Sequence, residues 1–153
     1  MDIEKLKVII ASGPVIVENG KVLLNRHGHS DDKKPEDSIW KFPGGRIENF
    51  DFTNEANSLE EAAKREVREE MGIDVEIIMP LKPMMVKHSS RPDTIVILIH
   101  YLAKRVGPVK PGADITEWKF LDINKLPSNC APNIKPVIDE YKRLTCEKIL
   151  KKF

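Results

Sequence analysis

The sequence predicts an α/β domain built on a mixed sheet, and three observations predict it. Short runs rich in β-branched residues are interspersed with two long amphipathic stretches of helical period. A hairpin signal precedes the first of these helices. One nearly all-apolar run has the character of a strand buried inside a sheet. The 153 residues suit a single domain, residues 1–153, with one substantial core, and no repeat, low-complexity tract or linker divides them. Hydrophobic residues are 41% and charged residues 32%, an ordinary balance, and the net charge of +1 supplies no field toward nucleic acid or acidic membranes. A stable nucleic-acid partner is therefore not expected. Nor is a membrane one, since no stretch approaches the roughly 20 apolar residues of a span. Met1-Asp2-Ile3-Glu4-Lys5 runs with mixed charge straight into strand-like sequence, unlike a signal peptide. Cys130 and Cys146 lack metal-type spacing and are expected as free thiols in a reducing, cytoplasmic setting. A homodimer is left open.

In chain order, Val8 to Val17 is a β-rich run interrupted at Gly13-Pro14. Asn19-Gly20 is the strongest short hairpin signal, and Val22-Leu23-Leu24 is the returning strand. His27 to Ser38 is polar and loop-like. Trp40-Lys41-Phe42 alternates as a short strand until Pro43-Gly44-Gly45 breaks it, and Arg46-Ile47-Glu48 resumes extended structure. Ser58, with Glu61 at the capping-box spacing, starts a helix over Leu59 to Met71, and Gly72 stands where a C′ glycine belongs. Asp74 to Met79 and Thr94 to Ala103 are strands. Ile95-Val96-Ile97-Leu98-Ile99 marks the second as central and buried on both faces. A Gly- and Pro-containing loop, Gly107 to Thr116, leads to a strand at Glu117 to Leu121. A terminal helix over Asn133 to Leu150 tolerates Pro136 only in its first turn.

The helix over Leu59 to Met71 carries a conflict. At about 100° per residue, Leu59, Ala62, Ala63, Val67 and Met71 make one apolar stripe, and Glu66 and Glu70 fall near its middle, with Glu69 at its border. Carboxylates at i, i+4 repel, and partly buried without partners they cost several kcal/mol or take up protons. Arg65 and Arg68 lie largely on other faces. A hard divalent cation, Mg²⁺ above all, resolves the conflict, because it prefers oxygen ligands and is commonly shared with phosphates. The alternative is a solvated helix laced by pairs such as Glu61–Arg65 and Arg65–Glu69.

Arg65-Glu66-Val67-Arg68-Glu69-Glu70-Met71-Gly72-Ile73 resembles the second half of the Nudix box, R-E-apolar-x-E-E-x-G-apolar, and Phe42-Pro43-Gly44-Gly45 resembles the glycine turn that opens it. The hairpin at Val15 to Arg26, the strand at Thr94 to Ala103, Glu117-Trp118 and the Pro136-Val137-Ile138 helix are looser likenesses to MutT-type members. The resemblance implies an α/β/α sandwich around a mixed sheet and hydrolysis of nucleoside diphosphates linked to a group X. It also implies a Mg²⁺ requirement with Mn²⁺ as substitute. It assigns Glu69 and Glu70 as principal metal ligands, Glu66 as ligand or general base, the Gly44 carbonyl as a further ligand and Arg65 as the residue that orients the glutamates. One departure stands out. The family separates a glutamate from the second glycine by five residues and from the Arg-Glu pair by seven, whereas counting back from Arg65 reaches Asn57, separated from Gly45 by eleven. An insertion of about six residues around Asn49 to Ala56 accounts for the difference, with Glu48 or Glu55 as spatial replacements and Asn57 as an outer-shell or capping group.

Further candidates have two readings each. Asp114, in the Gly107 to Thr116 loop, is an available base or ligand. Arg46 and Arg26 are phosphate contacts or ordinary surface arginines, and Trp40, Phe42 and Trp118 are base-pocket or core aromatics. Asn133 lies near the position of a base-recognising asparagine in MutT-type members, although alignment on Pro136-Val137-Ile138 places Ile134 there. His27 and His29 are phosphate or adventitious-metal contacts or, as the favoured reading, solvent-exposed, and Lys148, Lys151 and Lys152 suit a solvated helix end. Nucleoside triphosphates, ordinary or oxidised, are the first substrate class. ADP-ribose or another nucleoside-diphosphate sugar is the second, and a non-catalytic nucleotide-binding module is the third reading.

Overall fold

The computed structural model describes residues 5–28 and 39–147. His29, most of the 27–38 loop, Lys148, Lys151, Lys152 and the expected last turn of the terminal helix lie outside the described residues. The elements are β1 (Lys7–Val15), β2 (Val17–Glu18), β3 (Lys21–His27), β4 (Gly45–Arg46), α1 (Leu59–Met71), β5 (Asp74–Pro80), β6 (Met84–Lys87), β7 (Thr94–Val106), β8 (Ile115–Asp122) and α2 (Ile134–Cys146). One sheet runs β4-β1-β7-β5, with β6 also on β7; a second runs β2-β3-β8. β1 and β7 are parallel, and their neighbours in that sheet are antiparallel, so the sheet is mixed as expected.

Layering follows from strand alternation. On β7, Leu102 joins a core with Val15, Val22, Leu24, Phe42 and, from α2, Ile134, Val137 and Ile138. Its neighbour Ala103 points the other way, into a core with Leu23, Ile73, Val75 and, from α1, Val67 and Met71. The two helices thus cover opposite faces, which is the α/β/α arrangement.

The hairpin lies where Asn-Gly placed it: Asn19 and Gly20 both have positive φ, 51° and 73°, and Glu18 pairs with Lys21. Three expectations need correction. β1 does not stop at Gly13-Pro14 but runs through them against β7. β4 pairs with β1 only at Ala11 and Ser12, so Pro14 lies beyond that ladder, where a missing N–H costs it nothing. Trp40 and Lys41 form isolated bridges, to Cys130 and Asn25, rather than a strand. β7 is fully buried only at Thr94 and over His100–Ala103. Ile95 to Ile99 are half-buried, because the strand outruns the helices that cover it.

Candidate active site

α1 begins and ends on the signals in its sequence. The Ser58 side chain accepts from the Glu60 amide, and Gly72 takes the left-handed conformation, φ 65° and ψ 22°. Ala62, Ala63, Val67 and Met71 are buried, which fixes the rotation of the helix. That rotation turns Glu66 and Glu70 inward, at 12% and 13% side-chain exposure, and leaves Glu69 outward at 58%.

The inward carboxylates meet the glycine turn. Gly44 donates its amide to Glu70 Oε2 at 3.1 Å, and its φ of 154° brings it so near Ser12 that a side chain would strike the Ser12 carbonyl. A Cβ on Gly45 would run into the Glu66 carboxylate. Glu70 Oε2 also accepts from Asn25 Nδ2 at 3.3 Å, and His27 Nε2 lies 3.1 Å from Oε1. The Gly44 group facing Glu70 is therefore the N–H.

Arg65 ties the cluster together. Its Nε and Nη2 grip Asp51 at 2.6 and 2.9 Å, Nη1 reaches Glu69 at 3.0 Å, and Nη2 also reaches Glu66 at 2.9 Å and the Arg46 carbonyl at 3.2 Å. The guanidinium lies 4.5 Å from the Phe50 ring centroid. The Arg65 hydrogen bonds hold the Asp51 carboxyl below its usual range. Burial pushes the Glu66 carboxyl up; Arg65 pulls it partly back, and Glu70 and Glu69 add to the rise.

Asp51 is the residue the sequence reading missed. Counting forward from Gly45 by the same five-residue spacing reaches position 51, an acid, and leaves thirteen residues rather than seven before Arg65. The extra residues therefore follow Asp51 instead of preceding it. Asn57 closes their loop on itself, accepting from Thr53 and Asn54 and donating to the Asn54 carbonyl.

A cleft of about 410 Å³ is lined by Glu66, Glu69, Glu70, Gly44, Gly45, Arg46, His27, Glu48 and the segment Gly112–Ile115, which includes Asp114. That segment is fastened to the end of α1: Lys110 N donates to Met71 O and Gly112 N to Glu70 O, both at 2.8 Å. Arg26 and Asn133 are not in this cleft. Arg26 pairs with Glu117 at 3.3 Å and lies 5.3 Å from the Trp40 ring centroid. Asn133 lines a neighbouring pocket of about 190 Å³ with Phe42, Leu98, His100 and Ala131, on the other side of the same glycine turn. There the Asn133 Nδ2 and His100 Nε2 are 3.0 Å apart, and His100 Nδ1 lies 3.4 Å from the Gly13 carbonyl.

The family model of the NUDIX domain matches residues 8–141. The chain belongs to the Nudix family. It is a Nudix hydrolase, and its Nudix helix is α1. Among solved structures it resembles a MutT NUDIX hydrolase from Burkholderia pseudomallei, at 21% identity and TM-score 0.72, over 88% of this chain and 98% of that one. It also resembles a MutT protein from Methanosarcina mazei Go1, at 23% and 0.73, over 92% and 96%. A third likeness is to an ADP-ribose pyrophosphatase from Streptococcus suis 89-1591, at 21% and 0.56, over 86% and 85%. No curated protein matches the chain. No helix among the described residues of this Nudix chain is long and apolar enough to cross a membrane.

Burial pushes the His100 imidazole down to about 4, while its bond to the Gly13 carbonyl acts the other way. The unfolded value is about 6.5, so between those values the unfolded chain binds the extra proton. Stability is then fully present above pH 6.5 and is lost as the pH falls toward 4, by up to about 3 kcal/mol. Denaturant melts at pH 7 and pH 4.5 should show this loss, and a His100→Gln protein should lose less between the same two pH values. An equal loss in both proteins would assign it to other groups.

Proposed function

We propose that the chain is a Mg²⁺-dependent nucleotide pyrophosphohydrolase that cleaves a phosphoanhydride bond in nucleoside triphosphates or other nucleoside diphosphates linked to X. The observation that carries this reading is the pair Glu66 and Glu70, held inward on α1 against the Gly44–Gly45 turn and in one cleft with Glu69, Arg46 and Asp114.

The donor set fits a hard divalent cation. Three carboxylates from one helix line the cleft, two of them poorly exposed, and only hard oxygen donors are offered besides His27. Among the described residues no ready-made group of three ligating side chains exists. Glu66 is turned onto Arg65 and Glu70 onto Gly44, Asn25 and His27. Ligation would thus involve rotation of Glu66 off Arg65 and displacement of His27 from Glu70 Oε1, with Glu69, waters and substrate phosphates completing the shell, as Mg²⁺ commonly accepts. Bound there, Mg²⁺, with Mn²⁺ as substitute, supplies charge neutralisation for the diphosphate and a water of lowered pKa.

The chain's own residues do the rest. Glu66, whose carboxyl burial already pushes up, is suited to take a proton from the attacking water. Arg65 keeps Glu66 and Glu69 in place from the rear. Arg46 offers a cation to the phosphates and Asp114 a further acid on the facing wall. The pocket beside the turn, with the Phe42 ring and the Asn133 amide, has a size and lining that suit a base.

A Mg²⁺-dependent assay over a small panel tests this. Triphosphates should give monophosphate and pyrophosphate. Turnover of ADP-ribose to two monophosphates instead would move the chain to the sugar-nucleotide class named by its Streptococcus suis neighbour. Nucleotide binding without any turnover would identify a sensing module.

A further inference from the structure

Asn25 is the polar exception in an apolar strand. β3 buries Val22, Leu23, Leu24 and Asn25 completely. The Asn25 Nδ2 lies 3.3 Å from both Glu70 Oε2 and Met71 Sδ. Its Oδ1 is the one buried side-chain polar atom without a hydrogen-bond partner among the described residues. Turning the amide over would not relieve this. It would aim Oδ1 at a carboxylate and a thioether and leave the donor without a charged acceptor. Glu70 therefore dictates the orientation, and the orphaned acceptor is its consequence. A leucine of nearly the same shape would leave nothing unsatisfied and would match the neighbours on its strand.

We propose that Asn25 is a positioning residue for Glu70, retained at the expense of stability. Asn25 Nδ2 and the Gly44 amide both hold Oε2, one from the sheet and one from the glycine turn. Oε1 is left as the oxygen available to a cation, approached among the described residues only by the partly exposed His27. A carboxylate pinned by one oxygen keeps a fixed direction for the other and loses less freedom on ligation. The proposal rests on the reading of the cleft as a cation site.

Mn²⁺ titration calorimetry and cation-free melting, on wild type, Asn25→Leu, Asn25→Ala and Glu70→Gln, test it. Asn25→Leu should bind Mn²⁺ about tenfold more weakly or worse, while its cation-free melting temperature holds or rises. Asn25→Ala should show the same weakening with a lower melting temperature, since it leaves a cavity. Wild-type affinity in either folded variant overturns the proposal. So does an Asn25→Leu protein that melts well below wild type, which would make Asn25 a structural residue. Glu70→Gln separates the two levels. If it binds Mn²⁺ as wild type does, the cation-site reading fails. If it alone loses binding, only the role of Asn25 fails.

Discussion

Glu70→Gln should fold normally and lose nearly all Mg²⁺-dependent turnover. Glutamine has the shape of glutamate, and the side chain is packed at 13% exposure among Gly44, Asn25 and His27. Removing its charge also relieves repulsion from Glu66, four residues away. The melting temperature should therefore stay within a few degrees of wild type. Activity has no such protection, because a neutral amide is a poor ligand for a hard cation. Loss of partners that merely support a ligand costs about 10–100-fold, and loss of the ligand itself should exceed that. Saturating-substrate turnover beside a thermal melt checks both halves. Turnover within a few-fold of wild type would remove Glu70 from the chemistry.

Arg65→Ala should damage both fold and activity. The guanidinium, 18% exposed, serves Asp51, Glu66, Glu69 and the Arg46 carbonyl together. Without it, the poorly exposed Asp51 and Glu66 keep their charges but lose their cation. The loss should be about 2–4 kcal/mol, a fall of roughly 5–15 °C in melting temperature. Arg65→Lys should restore only part of this, since an ammonium cannot span the same acceptors. Asp51→Ala should cost less than Arg65→Ala, because Arg65 would still hold Glu66 and Glu69. Thermal melts rank the three. Equal melting temperatures for wild type and Arg65→Ala would show that the network is solvated and energetically idle.

The sequence made α1 legible because two periodicities disagree within it. The apolar stripe fixes which way the helix faces, and Glu66 and Glu70 violate the stripe, so their inward position follows without coordinates. The Asn-Gly hairpin was legible because few residue pairs accept positive φ twice in succession. Asp51 was not. An insertion between two anchors can be placed by counting from either one, and only the Arg65–Asp51 contact decides between them. The reach of β7 was hidden for a similar reason. Ile95 to Ile99 look like core, but apolarity does not say how far a helix extends over a strand. Analogy along the chain points Asn133 at the site, but it lines the neighbouring pocket, beside His100. Asn25 gave no signal at all, since a lone asparagine after three apolar residues resembles a strand end.

The two hydrogen bonds from Lys110 and Gly112 to the end of α1 make the walls of the cleft mechanically unequal. The side that carries Asp114 is riveted to the helix that carries Glu69 and Glu70, so those acids travel as one piece. The opposite side, Gly44 to Glu48, is laced to β1 instead, through the Ala11–Arg46 and Ser12–Gly45 pairs and the Ile47 N–H on the Ile10 carbonyl. The two walls can therefore part only by α1 and its loop shifting together against β1.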